Sequence, residues 1–289
     1  MHVTLTLQPR DPAALQAFAD AVSTPGSPLY REYITPAQFA QRFGPPGDAV
    51  QAVESSLRAH DLSPGQPSAN GLSIPVSATA GALARAFSVS FAHATMASGT
   101  TAIVNQQAPS LDPGVAPAVQ AVLGLDTLSA ARPLLVRAHT AGAARAHVVT
   151  AGPQPCAAAA AAAASQGGLT ADQIASAYGL SGLYQAGNLA AGQTIAVLEL
   201  EPYDPNDITA YQQCYGATAP VAAIPVDGGA GGGSGSGEAA LDIENMIGLA
   251  PQANIAVYEG PNAGAGPYDT FSTMISQRAA QVITASWGQ

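Results

Sequence analysis

Glu238 and Asp242 stand four residues apart in Gly237-Glu238-Ala239-Ala240-Leu241-Asp242-Ile243-Glu244, directly after a Gly/Ser run and at the start of an apolar helical pattern. On a helix that spacing stacks both carboxylates on one face. Two close carboxylates resist ionising together, so one pKa rises and a shared proton becomes available for acid/base work. The same residues would also serve as an acidic first turn, favoured by the helix dipole. The five histidines, His2, His60, His93, His139 and His147, all lie within the first 150 residues. A Ser-His-Asp arrangement therefore cannot be built within the second half. If that half is hydrolytic, its base is a carboxylate.

The elements that must position this pair follow from the apolar pattern. Thr194 to Leu200 reads as a strand, and Asp204-Pro205 opens a helix to about Tyr215. Val221 to Val226 is a strand, Gly228 to Gly237 a loop, and Glu238 to Leu249 a helix. Asn254 to Tyr258 is a strand, Tyr268 to Gln277 a helix, and Val282 to Trp287 a strand. Strands alternating with helices predict a parallel sheet with helices on both faces. The sequence stops two residues past that last strand, so this unit is expected to be truncated. The glycine run lacks a Gly-Lys-Ser/Thr ending, and the chain has no lysine, which argues against a phosphate loop.

The first half reads differently. Residues 2–7 alternate as a half-buried strand, and Asp11-Pro12 opens a helix to about Val22, with Asp as N-cap. Thr35-Pro36 starts a short helix ending near Gly44, and Asp48 to His60 is another. Leu72 to Val76 is a strand and Thr79 to Phe87 a helix. Val89 to Ala94 and Thr101 to Asn105 are strands, and Gly114 to Val122 a final short helix. This is a small α+β unit. From Pro133 to Gly168 the chain turns Ala/Gly/Pro-rich and reads as an exposed linker. Its alanine tract could be helical but has no amphipathic face. The expected organisation is 1–132, a linker over 133–168, and a second unit over 169–289.

Charge is divided along the same line. Up to residue 150, eight arginines balance eight acidic residues; beyond it, Arg278 stands against eleven, which carries the whole net charge of −10. An acidic half with no basic patch argues against nucleic acid and against an anionic membrane surface. It suits work at low pH, and equally suits simple solubility. Ala157 to Ala164 is too short to span a bilayer, which needs about 20 apolar residues. Met1 to Leu7 reads as a strand and shows no signal peptide. Cys156 lies in low-complexity sequence and Cys214 in a predicted helix, without metal-ligand spacing. A disulfide between them is not the favoured reading.

A family resemblance joins these pieces. Ser27-Pro28-Leu29-Tyr30-Arg31-Glu32-Tyr33-Ile34-Thr35-Pro36, with Phe39 and Phe43-Gly44, resembles the activation prodomain of the sedolisins, the serine-carboxyl peptidases of kumamolisin type. Glu238 and Asp242, in Gly-Glu-x-x-Leu-Asp-Ile-Glu, fall on that family's catalytic Glu and Asp. Leu249-Ala250-Pro251-x-Ala253-x-Ile255-Ala256-Val257-Tyr258 follows as in the family. Glu199 matches an outer glutamate, and Trp287, in Ser286-Trp287-Gly288, a tryptophan of the same hydrogen-bond network. The resemblance implies a ferredoxin-like α+β prodomain followed by a partial, doubly wound, subtilisin-like α/β catalytic domain. It implies the zymogen of an extracellular acid endopeptidase acting on protein or peptide substrates. In it a serine attacks the peptide carbonyl, Glu takes its proton, Asp orients the Glu, and a second Asp helps hold the oxyanion.

The departures are equally specific. The family's Gly-Asp-Ser-Gly segment with the oxyanion Asp and its Gly-Thr-Ser segment with the nucleophile are not found in these residues. Calcium is implied for the complete family domain, but its ligands are not in this sequence. Ser286 is not at the nucleophile position, and Ser234 and Ser236, in the glycine loop, match nothing. The expectation is a catalytic base pair without its nucleophile, the N-terminal part of a zymogen whose C-terminal half is missing, and whether a partner polypeptide supplies that half is left open. The alternative is a non-catalytic inhibitor or binding module built on the prodomain.

Overall fold

The computed structural model describes residues 1–96, 99–133, 150–232, 235 and 237–288. The chain divides into two compact units, Met1–Ala130 with Ala263–Asp269, and Ala131–Asn262 with Thr270–Gln289.

In the first unit the described elements run β1 (His2–Leu7), α1 (Pro12–Ser23), α2 (Pro36–Phe43), α3 (Gly47–Ala59) and β2 (Ser73–Ser77). They continue with α4 (Ala80–Phe87), β3 (Phe91–Thr95), β4 (Thr101–Asn105) and β5 (Val119–Leu123). The helix starts are set locally. The Asp11 carboxylate accepts from Ala14 N at 2.9 Å with Pro12 leading the helix. Thr35 and Gln38 form a reciprocal capping box on α2. β1 is central in an antiparallel sheet of order β2-β1-β5. Val3, Leu5 and Leu7 face a core shared with Val53, Leu57, Ile74, Leu83 and Phe87. The strand is covered on both sides rather than half-buried, since Thr4 and Thr6 are buried as well.

One predicted helix is a strand. Residues 114–122 form a short 3-10 turn at Ala116–Ala118 and then β5, which pairs Leu5 with Val122 and Thr6 with Ala121. Local composition was ambiguous, with alanines and valines mixed. The second edge of β1 decided it, because an unpaired edge on a buried strand leaves backbone groups unsatisfied.

The second unit holds β6 (Arg132–Pro133), α5 (Ala157–Gln166), α6 (Ala171–Ala177), α7 (Ser181–Gln185), β7 (Thr194–Glu199) and α8 (Pro205–Tyr215). Then come β8 (Val221–Pro225), α9 (Glu238–Leu249), β9 (Asn254–Glu259), α10 (Gly266–Gln277, of this unit from Thr270 onward), β10 (Val282–Ala285) and β11 (Trp287–Gly288). Four strands form a wholly parallel sheet of order β10-β7-β9-β8. Alternation along the strands divides its two faces. Ile195, Val197, Ile255 and Val257 pack with Ile208 of α8 and with Ile243 and Ile247 of α9. Ala196, Leu198, Ala256 and Tyr258 pack with Met274 of α10 and with Trp287. Strand order reverses around β7, and sites in such sheets lie beyond the carboxyl ends of the strands at that point.

Two further expectations need correction. The final predicted strand is broken: β10 ends at Ala285, and Trp287–Gly288 pairs antiparallel with Pro133 and Arg132 instead. The cysteines are joined, with Cys156 and Cys214 at a Cα separation of 4.9 Å. Cys156 is the N-cap of α5 and Cys214 lies in the last turn of α8. The alanine tract is helical and does have one inward face, since Ala159 and Ala163 are half-buried beside the cysteine while their neighbours are exposed. Residues 134–149 of the predicted linker lie outside the described residues. Among the described residues no helix is long and apolar enough to cross a membrane.

Candidate active site

The carboxyl edge of the parallel sheet gathers the acidic residues. β7 runs inward as Ile195-Ala196-Val197-Leu198 and ends on Glu199, which is fully buried. After β8, the glycine-rich loop returns the chain to the same edge, and α9 starts at Glu238. Ala239, Ile243 and Ile247 form the fully buried stripe of α9. Glu238 and Asp242 each precede a member of that stripe by one position, so they ride on its rim. They are 3% and 8% exposed, which puts both carboxyls in a low-dielectric setting. After β10 the chain delivers Ser286 and Trp287 to this edge.

The groups contact one another. Trp287 Nε1 donates to Glu199 Oε2 at 3.2 Å. The Ser286 hydroxyl hydrogen-bonds the Asp242 carboxyl. Glu199 Oε1 and Asp242 Oδ2 have no hydrogen-bond partner among the described residues. Burial, reinforced by the charge of Asp242, pushes the Glu199 pKa up to about 9. The indole bond opposes that rise, while Glu238 and Glu201 add to it. Burial also raises Asp242, with the Ser286 hydroxyl pulling the other way. Glu259 lies beside Glu199 in the β7–β9 register and is raised by burial too. Burial therefore favours the protonated form of Glu199, Asp242 and Glu259 alike, and Glu199 holds its proton through the neutral range.

Glu199, Glu238, Asp242 and Trp287, singled out from sequence, are thus brought to one place. Ser234 and Ser236 lie outside the described residues. Two participants escaped the sequence reading. Ser286 was set aside as a nucleophile and is instead a hydroxyl partner of Asp242. Glu201 lies outside every motif read from the sequence. Its Oε1 accepts from Glu238 N at 2.8 Å and from Ala239 N at 3.3 Å, capping α9. The signal for it was indirect. Gly237 occupies the N-cap with φ +96°, a conformation suited to glycine, and brings no side-chain acceptor. A helix opening there needs its cap from elsewhere.

This set can hold, accept and relay protons, with Glu238 and Asp242 on one helix and Glu199 with its indole behind them. It is not a calcium shell. Calcium takes six to eight oxygens, mostly ionised carboxylates or carbonyls. Here Glu199 keeps its proton to about pH 9, and Glu201 and Asp242 are engaged with helix amides and a hydroxyl.

The geometry can be set beside known proteins. Residues 1–128 match the family described as Pro-kumamolisin, activation domain. The whole chain aligns with xanthomonalisin of Xanthomonas sp. (strain T-22), 29% identical over 300 residues and covering 35% of that protein. Kumamolisin of Bacillus sp. (strain MN-32) is 28% identical over 274 residues, 91% of this chain and 46% of the relative. Sedolisin of Pseudomonas sp. (strain 101) is 29% identical over 134 residues, 46% of this chain and 23% of the relative. The chain thus spans less than half the length of each of these curated relatives. Over its first 128 residues the chain is thus similar to the pro-kumamolisin activation domain, and along its full length it is similar to xanthomonalisin, with kumamolisin and sedolisin also among its relatives.

Proposed function

We propose that these residues are the activation domain and the general-base part of an acid-acting serine-carboxyl endopeptidase precursor. The observation that carries the reading is the buried group of Glu199, Asp242 and Glu238 with Trp287 hydrogen-bonded to it. In this reading Glu238 accepts the proton of an incoming serine hydroxyl as its oxygen attacks the peptide carbonyl. Asp242 holds Glu238 in place, and the proton then passes to the departing amine. Glu199 stays protonated and damps the charge around Asp242. The nucleophile and the oxyanion Asp belong to the family's Gly-Thr-Ser and Gly-Asp-Ser-Gly segments, which these 289 residues do not contain. The residues alone therefore do not turn over peptides.

Other features support the reading. The Trp287–Gly288 edge accepts an extended backbone antiparallel to itself, here Arg132–Pro133, as a peptide substrate would require. The Cys156–Cys214 disulfide suits an oxidising, extracellular compartment. In the same reading the second unit is the start of a subtilisin-like domain, and calcium would bind the complete domain through ligands outside these residues. The first unit restrains the second until it is removed.

The test is a chimaera carrying the C-terminal segment of a sedolisin-family relative, assayed on one peptide at fixed acidic pH. Glu238→Ala or Asp242→Ala should lower the rate by about a hundredfold or more, the scale of general-base loss. Glu199→Gln should cost less and Trp287→Phe least. A Glu238→Ala chimaera with near-parental activity would sink the assignment. The match over residues 1–128 also favours a second reading, a prodomain-type inhibitor. An inactive but folded chimaera, alongside inhibition of a mature sedolisin-family peptidase by the first unit, would select it.

A further inference from the structure

Glu201 reaches the catalytic helix from two residues beyond Glu199. One oxygen, Oε1, takes two amides of the first turn of α9, Glu238 N at 2.8 Å and Ala239 N at 3.3 Å. Those amides have no acceptor within the helix, and the N-cap glycine supplies none. The loop before α9 is shaped around the same carboxylate. At Gly235, φ +62°, an added Cβ would stand 2.9 Å from Glu201 Cδ, 3.0 Å from Oε1 and 2.5 Å from Pro202 O. Glu201 also belongs to the charged surroundings of Glu199. Asp242 and Glu238 face Glu199 from α9, Glu201 from its own segment and the Trp287 indole from β11. Glu259 adjoins it on β9, and the Tyr203 phenol senses its charge.

We propose that Glu201 is the positioning residue of Glu238. Its carboxylate fixes the first turn of α9, and so the place of Glu238, and its negative charge adds to the burial and the Asp242 and Glu238 charges that hold the proton on Glu199. The proposal rests on the reading of Glu238 as the base. Its tests need no peptide turnover, so it can fail or stand apart from that reading.

The experiment uses the chain as it is, with residue-resolved amide exchange at Glu238 and Ala239 and a pH titration of Trp287 fluorescence. Glu201→Ala should speed exchange at both amides about tenfold or more, the scale of losing a helix cap, with the circular dichroism retained. Glu201→Gln keeps an oxygen acceptor and should hold exchange within about threefold of the parent. Both variants should lower the pH midpoint of the Trp287 signal, because each removes a charge beside Glu199. Gly235→Ala should speed exchange while leaving the carboxylate in the chain. Should Glu201→Ala fail to fold, Glu201→Gln and Gly235→Ala carry the same readouts. Parental exchange in both Glu201→Ala and Gly235→Ala, or a midpoint unmoved in Glu201→Gln, would overturn the proposal. A purely structural cap would leave that midpoint where it is.

Discussion

The Trp287 indole donates its N–H to Glu199 Oε2 at 3.2 Å, linking the segment after β10 to the end of β7. Trp287 is the chain's one tryptophan. The protein therefore carries a spectroscopic reporter hydrogen-bonded to a strongly perturbed carboxyl.

The first prediction follows directly. Ionising Glu199 places a full negative charge against the indole N–H, which should shift and requench Trp287 emission. A titration should show a transition centred near pH 9, the value to which burial and Asp242 raise this group. Glu199→Gln should remove the transition. A difference curve between parent and variant excludes tyrosine ionisation. A parent curve superimposable on that of Glu199→Gln would contradict the assignment.

Stability should decline as pH rises. An acid whose folded pKa exceeds its unfolded value binds more protons when folded, so its favourable contribution is complete below the unfolded pKa. For Glu199 that contribution is lost progressively from about pH 4.5 to about 9. Glu244, raised to about 7 by burial and Asp207, acts in the same direction, as does Asp242. Melting temperatures at pH 5, 7 and 9 should therefore fall in that order. Glu199→Gln, neutral throughout, should flatten the slope and melt higher than the parent at alkaline pH. A slope unchanged by the substitution would assign the trend to general acidic self-repulsion instead.

The first unit should fold by itself. Its sheet, β2-β1-β5, and its main core are built from residues before 126. Residues 1–132, expressed alone, should show mixed α/β circular dichroism and a cooperative melt. A chain that stays unfolded would place its stability in residues supplied later in the sequence.

Gly260 should tolerate no side chain. It follows β9, and a Cβ there would collide with the hydroxyl of fully buried Thr270 on α10. Gly260→Ala should cost about 1–3 kcal/mol by overpacking, read as a lower urea midpoint. Gly260→Ala with Thr270→Ala should recover most of it, since the collision is with that hydroxyl.

The sequence was most readable where a short stretch carries its own instructions. Asp11-Pro12 and Thr35-Pro36 announce helices through caps that the structure retains, and α9 covers the predicted Glu238 to Leu249. It was least readable where a distant partner decides. β5 is a strand because β1 has a free edge. Glu201 caps an amide 37 residues away, so no local spacing marks it. Cys156 and Cys214 are 58 residues apart, and low-complexity alanines gave no hint that α5 would bring one to the other. The Glu238–Asp242 spacing correctly indicated one helix face, but it gave no sign that Glu199 would hold a proton to about pH 9, which burial sets and periodicity cannot show.

The disulfide encloses more than a helix. Between Cys156 and Cys214 lie α6, α7, β7 and most of α8, including Glu199 and Glu201. A single backbone nick anywhere in that span yields two pieces that stay covalently joined until reduced. The alanine helix α5 sits inside this closed loop as well. Damage there would be silent on a non-reducing gel, and the carboxyl-bearing strand would remain captive beside the helix that completes its site.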